Sequence, residues 1–350
     1  MKRIKYTSLL LFVVFIALIL AGCGTQSEKK ENPVTEKKPE FLFRFGATQP
    51  EGHPTALTLY KFKEIVEEKG EGRIKVEVYP AKQLGGNVEM NEAVQQGSLT
   101  MTYGAISYMG ANFEPRYNVF SLPFIINDKN VEKAYAMMDG DTGKQLSATL
   151  EKNGFKVLGY GRQGYRNITN SKKPIQTPSD LEGIKIRLQP NKTQMDTFSK
   201  LGANPAAIDF AELYSALQQG VVDAQENPID IIYTNKFYEV QKYLSITNHF
   251  FEFTGIYMNK GIFDKLPADL QQIVEEAGME SIKYQRQISE ESEDEYLAKI
   301  EAEMEVNKIT TENAELFQQK VQSMYSEYVE QAEDKEFAKN VLNNLGVSLN

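Results

Sequence analysis

One cysteine, two histidines and no tryptophan occur in this 350-residue chain, and each scarcity closes off a class of chemistry. A lone cysteine excludes an internal disulfide, so an exported domain must draw its stability from a hydrophobic core. His53 and His249 stand far apart, with no second histidine or cysteine at metal-ligand spacing, so no metal is expected. The chain has no P-loop, no G-x-S-x-G elbow and no calcium loop. No cofactor is expected either. Basic residues are the minority, 39 against 48 acids, for a net charge of −9. Nucleic acid is therefore not expected as a partner. Without tryptophan, the simplest fluorescence assay of binding is also closed.

The amino terminus is the exception to this acidic balance. Lys2, Arg3 and Lys5 precede an apolar run from Leu9 to Leu20, the arrangement of a secretory signal. The run is shorter than the roughly 20 residues a spanning helix requires. It ends in Leu20-Ala21-Gly22-Cys23, which resembles a bacterial lipobox. Residues 1–22 are thus expected to be a lipoprotein signal peptide and Cys23 the lipidated first residue of the mature chain. Two or more acyl chains hold a protein at a membrane surface where one holds it only marginally. Loss of those three positive charges takes the net charge from −9 to −9 − 3 = −12. From Gly24 to Glu40 the chain is too polar to order itself, so 23–40 is expected to be the lipidated cysteine and a flexible linker.

Beyond the linker, periodicity alternates between strand and helix. Phe41 to Gly46 is a short apolar run; Thr55 to Lys69 places Leu59, Phe62, Ile65 and Val66 at helical spacing; Arg73 to Val78 alternates as a strand and stops before Pro80. Phe155 to Tyr160, Ile184 to Leu188 and helices at Lys192 to Leu201 and Ala211 to Gln219 repeat that order. This is the grammar of parallel sheets covered by helices. About 310 residues usually divide into two lobes. An internal echo supports two: Glu92 to Gly97 leads into Leu99 to Tyr103, and Ser215 to Gly220 into Val221 to Ala224, each a helix closed by glycine before a strand. Pro267 introduces a helical pattern through Met304, about 55 Å long at ~1.5 Å per residue and long enough to brace both lobes. Gly278 interrupts it, leaving two broken helices or a coiled coil as alternatives.

Two segments invite a chemical reading. Gly159 to Gly164 matches G-x-G-x-x-G after a strand, yet the chain continues as strand and turn rather than helix, so no nucleotide site is expected. The second runs from Thr177 to Leu188. Its alternation puts Ile184 and Ile186 on one face of a strand and Lys185 and Arg187 on the other. A side chain at the end of a strand in an open α/β sheet faces the crevice where ligands bind. An arginine there offers a rigid fork of donors matched to a carboxylate.

From Phe41 almost to the C-terminus the chain resembles the solute-binding subunit of TRAP transporters, the DctP-type family. The resemblance is carried by Gln83-Leu84-Gly85-Gly86, Leu122-Pro123-Phe124, Gly164-Tyr165-Arg166 with Thr169-Asn170, the run Asp180 to Arg187, Leu213 to Pro228, Lys236 to Tyr243 and Thr247-Asn248-His249. It implies a two-lobe α/β periplasmic-binding-protein-like fold crossed by a long helix, with lobe I formed by 41–163 and 253–292 and lobe II by 164–252 and 293–350. It implies no catalysis. It further implies that Arg187 forms a bidentate bridge to the ligand carboxylate, Arg166 is a more variable second anchor, Asn227 hydrogen-bonds near that carboxylate and Phe210 lines the pocket. Asn191 is a doubtful contact, because Arg187-Leu188-Gln189-Pro190-Asn191 is one residue longer than the R-V-P-N of sialic-acid-binding members. His53 follows the first strand within reach of the same cleft.

The function so implied is capture of a small organic acid outside the cell and its delivery to membrane permease subunits, by a monomer held through Cys23. The family includes receptors for C4-dicarboxylates, uronates, sialic acid and 2-oxo acids, and the sequence does not choose among them. The alternatives are the receptor of an ATP-driven importer, a surface lipoprotein enzyme built on paired carboxylates, and an adhesive lipoprotein without a ligand.

Overall fold

The computed structural model describes residues 38–349. The expected signal peptide, Cys23 and nearly all of the linker lie outside the described residues. The described chain opens with three parallel strands, β1 (Phe41–Ala47), β2 (Ile74–Tyr79) and β3 (Met101–Ala105), with β1 between the other two. The helix Pro54–Lys69 links β1 to β2. Proline occupies its first turn, His53 Nδ1 accepts a hydrogen bond from Thr55 N at its start, and Leu59, Phe62, Ile65 and Val66 are buried along one face. The helix Asn87–Gln96 links β2 to β3.

After β4 (Phe155–Asn170) the same unit recurs. The parallel strands β5 (Lys185–Leu188), β6 (Asn204–Ala207) and β7 (Ala224–Asn227) are joined by helices Lys192–Leu201 and Leu213–Gln218, with β5 in the middle. The echo seen in the sequence falls at the same place in both units. Gly97 and Gly220, at φ of 78° and 68°, close the helices that precede β3 and β7. Each strand begins four residues past its glycine, at Met101 and Ala224, later than the sequence predicts, because a turn comes first.

A long antiparallel ribbon joins the two units. β8 (Tyr243–Asn259) runs beside β4 from end to end, and β9 (Glu305–Lys308) adds to the start of β8. The nine-stranded sheet runs β2-β1-β3-β8-β4-β7-β5-β6, with β9 off this path. β3 attaches near the C-terminal end of β8, and β7 at the C-terminal end of β4, so the two parallel wings sit at opposite ends of the ribbon. The G-x-G-x-x-G string lies inside β4. The ladder shifts register between Val157 and Gly159 and between Arg162 and Gly164, so the glycines serve irregularities in a strand, not the start of a helix.

The long helix is continuous from Ala268 to Glu301, 34 residues or about 51 Å. It stops short of Met304, because the chain turns there into β9. Gly278 does not break it. A Cβ at that position would sit 2.6 Å from Leu158 Cβ, so the glycine lets helix and β4 approach. Leu270, Val274, Ala277 and Ile282 join Phe43, Phe45, Phe62 and Met101 in one hydrophobic cluster, while Ile300 joins Ile231, Ile232 and Leu244 in another. One helix is thus planted in two cores.

Three helices, Thr311–Val321, Ser323–Gln331 and Lys335–Asn344, finish the described chain. They bury Phe317, Tyr325, Val341 and Leu342, and Tyr325 Oη donates to Pro123 O at 2.9 Å. Lys200 of the second unit pairs with Glu327 at 2.7 Å.

Candidate ligand site

The wings face each other across the middle of the ribbon, and a small cavity lies between the carboxyl ends of their strands. Thr48 and Gln49 follow β1, Tyr103 to Ala105 end β3, Gln189 follows β5, Phe210 follows β6 and Asn227 ends β7. Gln163 and Thr254 come from the ribbon. This is the crevice where open α/β sheets take ligands. The centre of a water-sized sphere can occupy about 20 Å³ of it, so the walls are nearly closed upon one another.

Arg187, on β5, is completely buried at the edge of this cavity. Its Nε donates to Ile208 O at 2.7 Å and its Nη2 reaches Tyr108 Oη at 3.5 Å, while its guanidinium stands 5.9 Å from the centre of the Phe210 ring. Tyr108 and Phe210 both line the cavity. Nη1 is buried with no hydrogen-bond partner among the described residues, and none of their carboxylates pairs with it. Lys185 lies on the same strand face but is exposed, because the face passes from solvent into the cleft toward the strand's end.

Arg166, on β4, is differently placed. Pairing of Ile168 with Glu226 between β4 and β7 brings its guanidinium against the Glu226 carboxylate. Nε donates to Oε2 at 2.5 Å and Nη2 to Oε1 at 2.7 Å, with neither side chain exposed. Nη2 also meets Asn227 Oδ1 at 3.1 Å, and Nη1 donates to Gln163 Oε1 at 2.7 Å. One N–H of Nη1 is left over. His249 Nε2 lies 3.3 Å from Glu226 Oε2. Burial works to raise the Glu226 carboxyl, but Arg166 and His249 outweigh it and hold it below the usual carboxylate range. Burial pushes His249 down, against the pull of Glu226.

Asn227, buried in the cavity wall, is held at both ends: Oδ1 by Arg166, and Nδ2 by Gln225 Oε1 at 2.5 Å. Phe210 packs edge-on against Phe237 and carries Lys82 Nζ at 5.5 Å from its ring centre. Asn191 caps the helix Lys192–Leu201 and donates to Ser107 O and Asn118 Oδ1, so its polar atoms are engaged by protein. His53 Nε2 stands 3.3 Å from Asp230 Oδ2 across the gap without a hydrogen bond's direction, and the ring is not in the cavity wall.

Residues 45–332 match the family model of DctP, bacterial extracellular solute-binding protein, family 7. The chain belongs to this family. A TRAP periplasmic solute-binding protein from Polaromonas, crystallised with D-erythronate, superposes with a TM-score of 0.82 at 30% identity, covering 89% of this chain and all of that one, 100%. The 2,3-diketo-L-gulonate-binding periplasmic protein YiaO of Escherichia coli is 33% identical over 280 residues, 80% of this chain and 82% of its own. The C4-dicarboxylate-binding periplasmic protein DctP of Rhodobacter capsulatus is 33% identical over 292 residues, 83% of this chain and 87% of its own. As a TRAP-type family 7 solute-binding protein it has the two-lobe fold and serves transport, not catalysis. The family is extracytoplasmic, and among the described residues no helix is long and apolar enough to cross a membrane.

In this family 7 protein the resemblance named Arg187, Arg166, Asn227 and Phe210, and the fold brings all four around one cleft. The sequence reading missed the groups that organise them. Glu226 and His249 hold Arg166, and Glu252 on β8 accepts from Ser107 N at 3.1 Å and Gln194 Nε2 at 3.3 Å. Burial pushes the Glu252 carboxyl up to about 7. Glu226 and His249 stand within the quoted stretches Leu213 to Pro228 and Thr247-Asn248-His249, so the signal was present but no spacing linked them to Arg166.

Proposed function

We propose that this chain is the extracytoplasmic solute-binding subunit of a TRAP-type secondary transporter, capturing a small organic acid through Arg187 and delivering it to membrane permease subunits. The observation that carries the reading is a fully buried guanidinium, with an Nη1 that has no partner among the described residues, at the carboxyl end of a strand in the cleft. A buried cation of this kind calls for an anion, and a carboxylate matches its fork. The printed names of the relatives support an acid: erythronate, diketogulonate and C4-dicarboxylates are all small carboxylates.

In this reading Arg187 bridges both carboxylate oxygens. Phe210 forms the wall beside it, Asn227 stands near the carboxylate, and Arg166 adds its remaining N–H while keeping Asn227 in position. Lobe I comprises 41–163 and 253–292, and lobe II 164–252 and 293–350. Only the closed state offers the ligand both walls, so binding favours closure. The narrowness of the cavity supports admission by parting of the lobes. Cys23 tethers the monomer to the membrane through the 23–40 linker.

Calorimetry on Arg187→Ala tests the site. Leaving a buried ligand charge without its partner costs on the order of 2–5 kcal/mol, a loss of roughly 30-fold to several thousand-fold in affinity. Binding as tight as wild type removes Arg187 from the site.

A further inference from the structure

We infer that the ligand is a monocarboxylate bearing hydroxyl or keto oxygens, and not a dicarboxylate. The inference rests on the carboxylate reading of Arg187 and concerns the rest of the cavity. Of the cations near it, Arg187 alone holds a buried N–H with no partner among the described residues. Arg166 is neutralised by Glu226, and Arg162 by Glu293. Lys82, 5.5 Å from the centre of the Phe210 ring, is not in the wall and stands in the field of the Asp209 carboxylate. None of the residues lining the cavity carries a charge.

That lining is neutral but rich in hydrogen-bonding groups. The Asn87 amide, on the first wing, has no hydrogen-bond partner among the described residues. Gln189 Oε1 accepts from Ser107 Oγ at 2.8 Å, and Gln163 Oε1 from Arg166 Nη1 at 2.7 Å. Each amide is thereby oriented, with its NH₂ free of protein acceptors. Thr55 and Thr254 add hydroxyls to the wall. Amides and hydroxyls both donate and accept, which suits hydroxyl and keto oxygens. A second carboxylate enclosed among them would have no counter-charge, and an ion buried in that state is strongly penalised. The cleft thus offers one partnerless cation for an anion and neutral amides and hydroxyls for uncharged oxygens.

Calorimetry on the mature chain with length-matched ligands tests this: 2,3,4-trihydroxybutanoate against succinate, and gluconate against adipate, with the neutral polyols erythritol and sorbitol. In the length that binds, the hydroxy acid is expected to bind on the order of tenfold tighter than the dicarboxylate, or more, with the polyol far weaker. A dicarboxylate that binds as tightly or tighter overturns the inference and leaves capture of an acid by Arg187 standing. A polyol that binds as well as its acid, or no binding by any of these acids, overturns the reading of Arg187 itself. Asn87→Leu is expected to weaken the hydroxy acid about tenfold while leaving the unsubstituted alkanoate of equal length unchanged. Equal losses for both remove Asn87 from the recognition of hydroxyls.

Discussion

Arg166 and Glu226 meet through two parallel hydrogen bonds at 2.5 and 2.7 Å with no exposed surface on either side chain. They belong to different strands and come together only through the register of β4 on β7. Removing one member of such a pair strands a charge in the interior, whereas replacing both with apolar groups does not. Arg166→Ala is expected to lose about 3–5 kcal/mol in urea unfolding, and Arg166→Met/Glu226→Leu less than that. A loss below about 1 kcal/mol for the single variant would contradict the pairing.

Glu252 gives a pH signature of the opposite sign to Glu226. Its folded-state value of about 7 stands above the ordinary carboxyl range. Such a group contributes stability that is fully present below its unfolded value of roughly 4.3 and is lost as pH rises through the folded value. Glu252→Gln, neutral at every pH, should therefore gain on wild type between pH 5 and pH 8 in denaturant unfolding. The same difference at both pH values would show that Glu252 does not titrate in this window. Glu226, held low, loses its contribution only as pH falls toward its depressed value.

Gly86 of the first wing lies directly against Asp209 of the second. A Cβ on it would sit 2.3 Å from Asp209 Oδ1, although its φ of −77° suits any residue. Gly86→Ala should thus leave unfolding stability within about 1 kcal/mol of wild type. It should weaken ligand binding about tenfold by holding the wings apart. Unchanged affinity would mean that this contact plays no part in closure.

Gly278 makes a contrasting case. Alanine in a helix normally gains about 1 kcal/mol over glycine. Here its methyl group would meet Leu158 Cβ at 2.6 Å and Leu158 O at 2.7 Å. Overpacking of this kind costs about 1–3 kcal/mol, so Gly278→Ala should come out neutral to destabilising in thermal and urea unfolding. A gain would show that helix and strand separate readily.

Elements whose stability rests on an apolar stripe were legible in the sequence. The helix Lys192–Leu201 falls where its periodicity puts it, and helix Pro54–Lys69 differs by one residue at its start. β4 was read as a strand to Tyr160 and again after Gly164 but not as one element, because Arg162, Gln163, Arg166, Asn167 and Thr169 break its apolar alternation. Those side chains are held by partners far along the chain, such as Glu293 at Arg162 and Gln241 at Thr169, which no local pattern reveals. The C-terminal half of β8 is buried on both faces and does not alternate, so it too gave no period to read. Within the site, the strand-end position of Arg187 was legible because it is a local property, while its proposed role came from the family resemblance. The partners of Arg166 were not, since 60 residues separate it from Glu226 along the chain.

The ribbon of β4 and β8 is the linkage through which the proposed closure would have to act. Its two members stay hydrogen-bonded from Phe155–Asn259 to Asn170–Tyr243, with three register irregularities along the way. A linkage of this sort flexes like a leaf spring rather than swinging like a door: it yields most where its pleat is already irregular and returns to a rest curvature. On the closure proposed above, the jaws at either end would then move through a limited arc and stay in alignment.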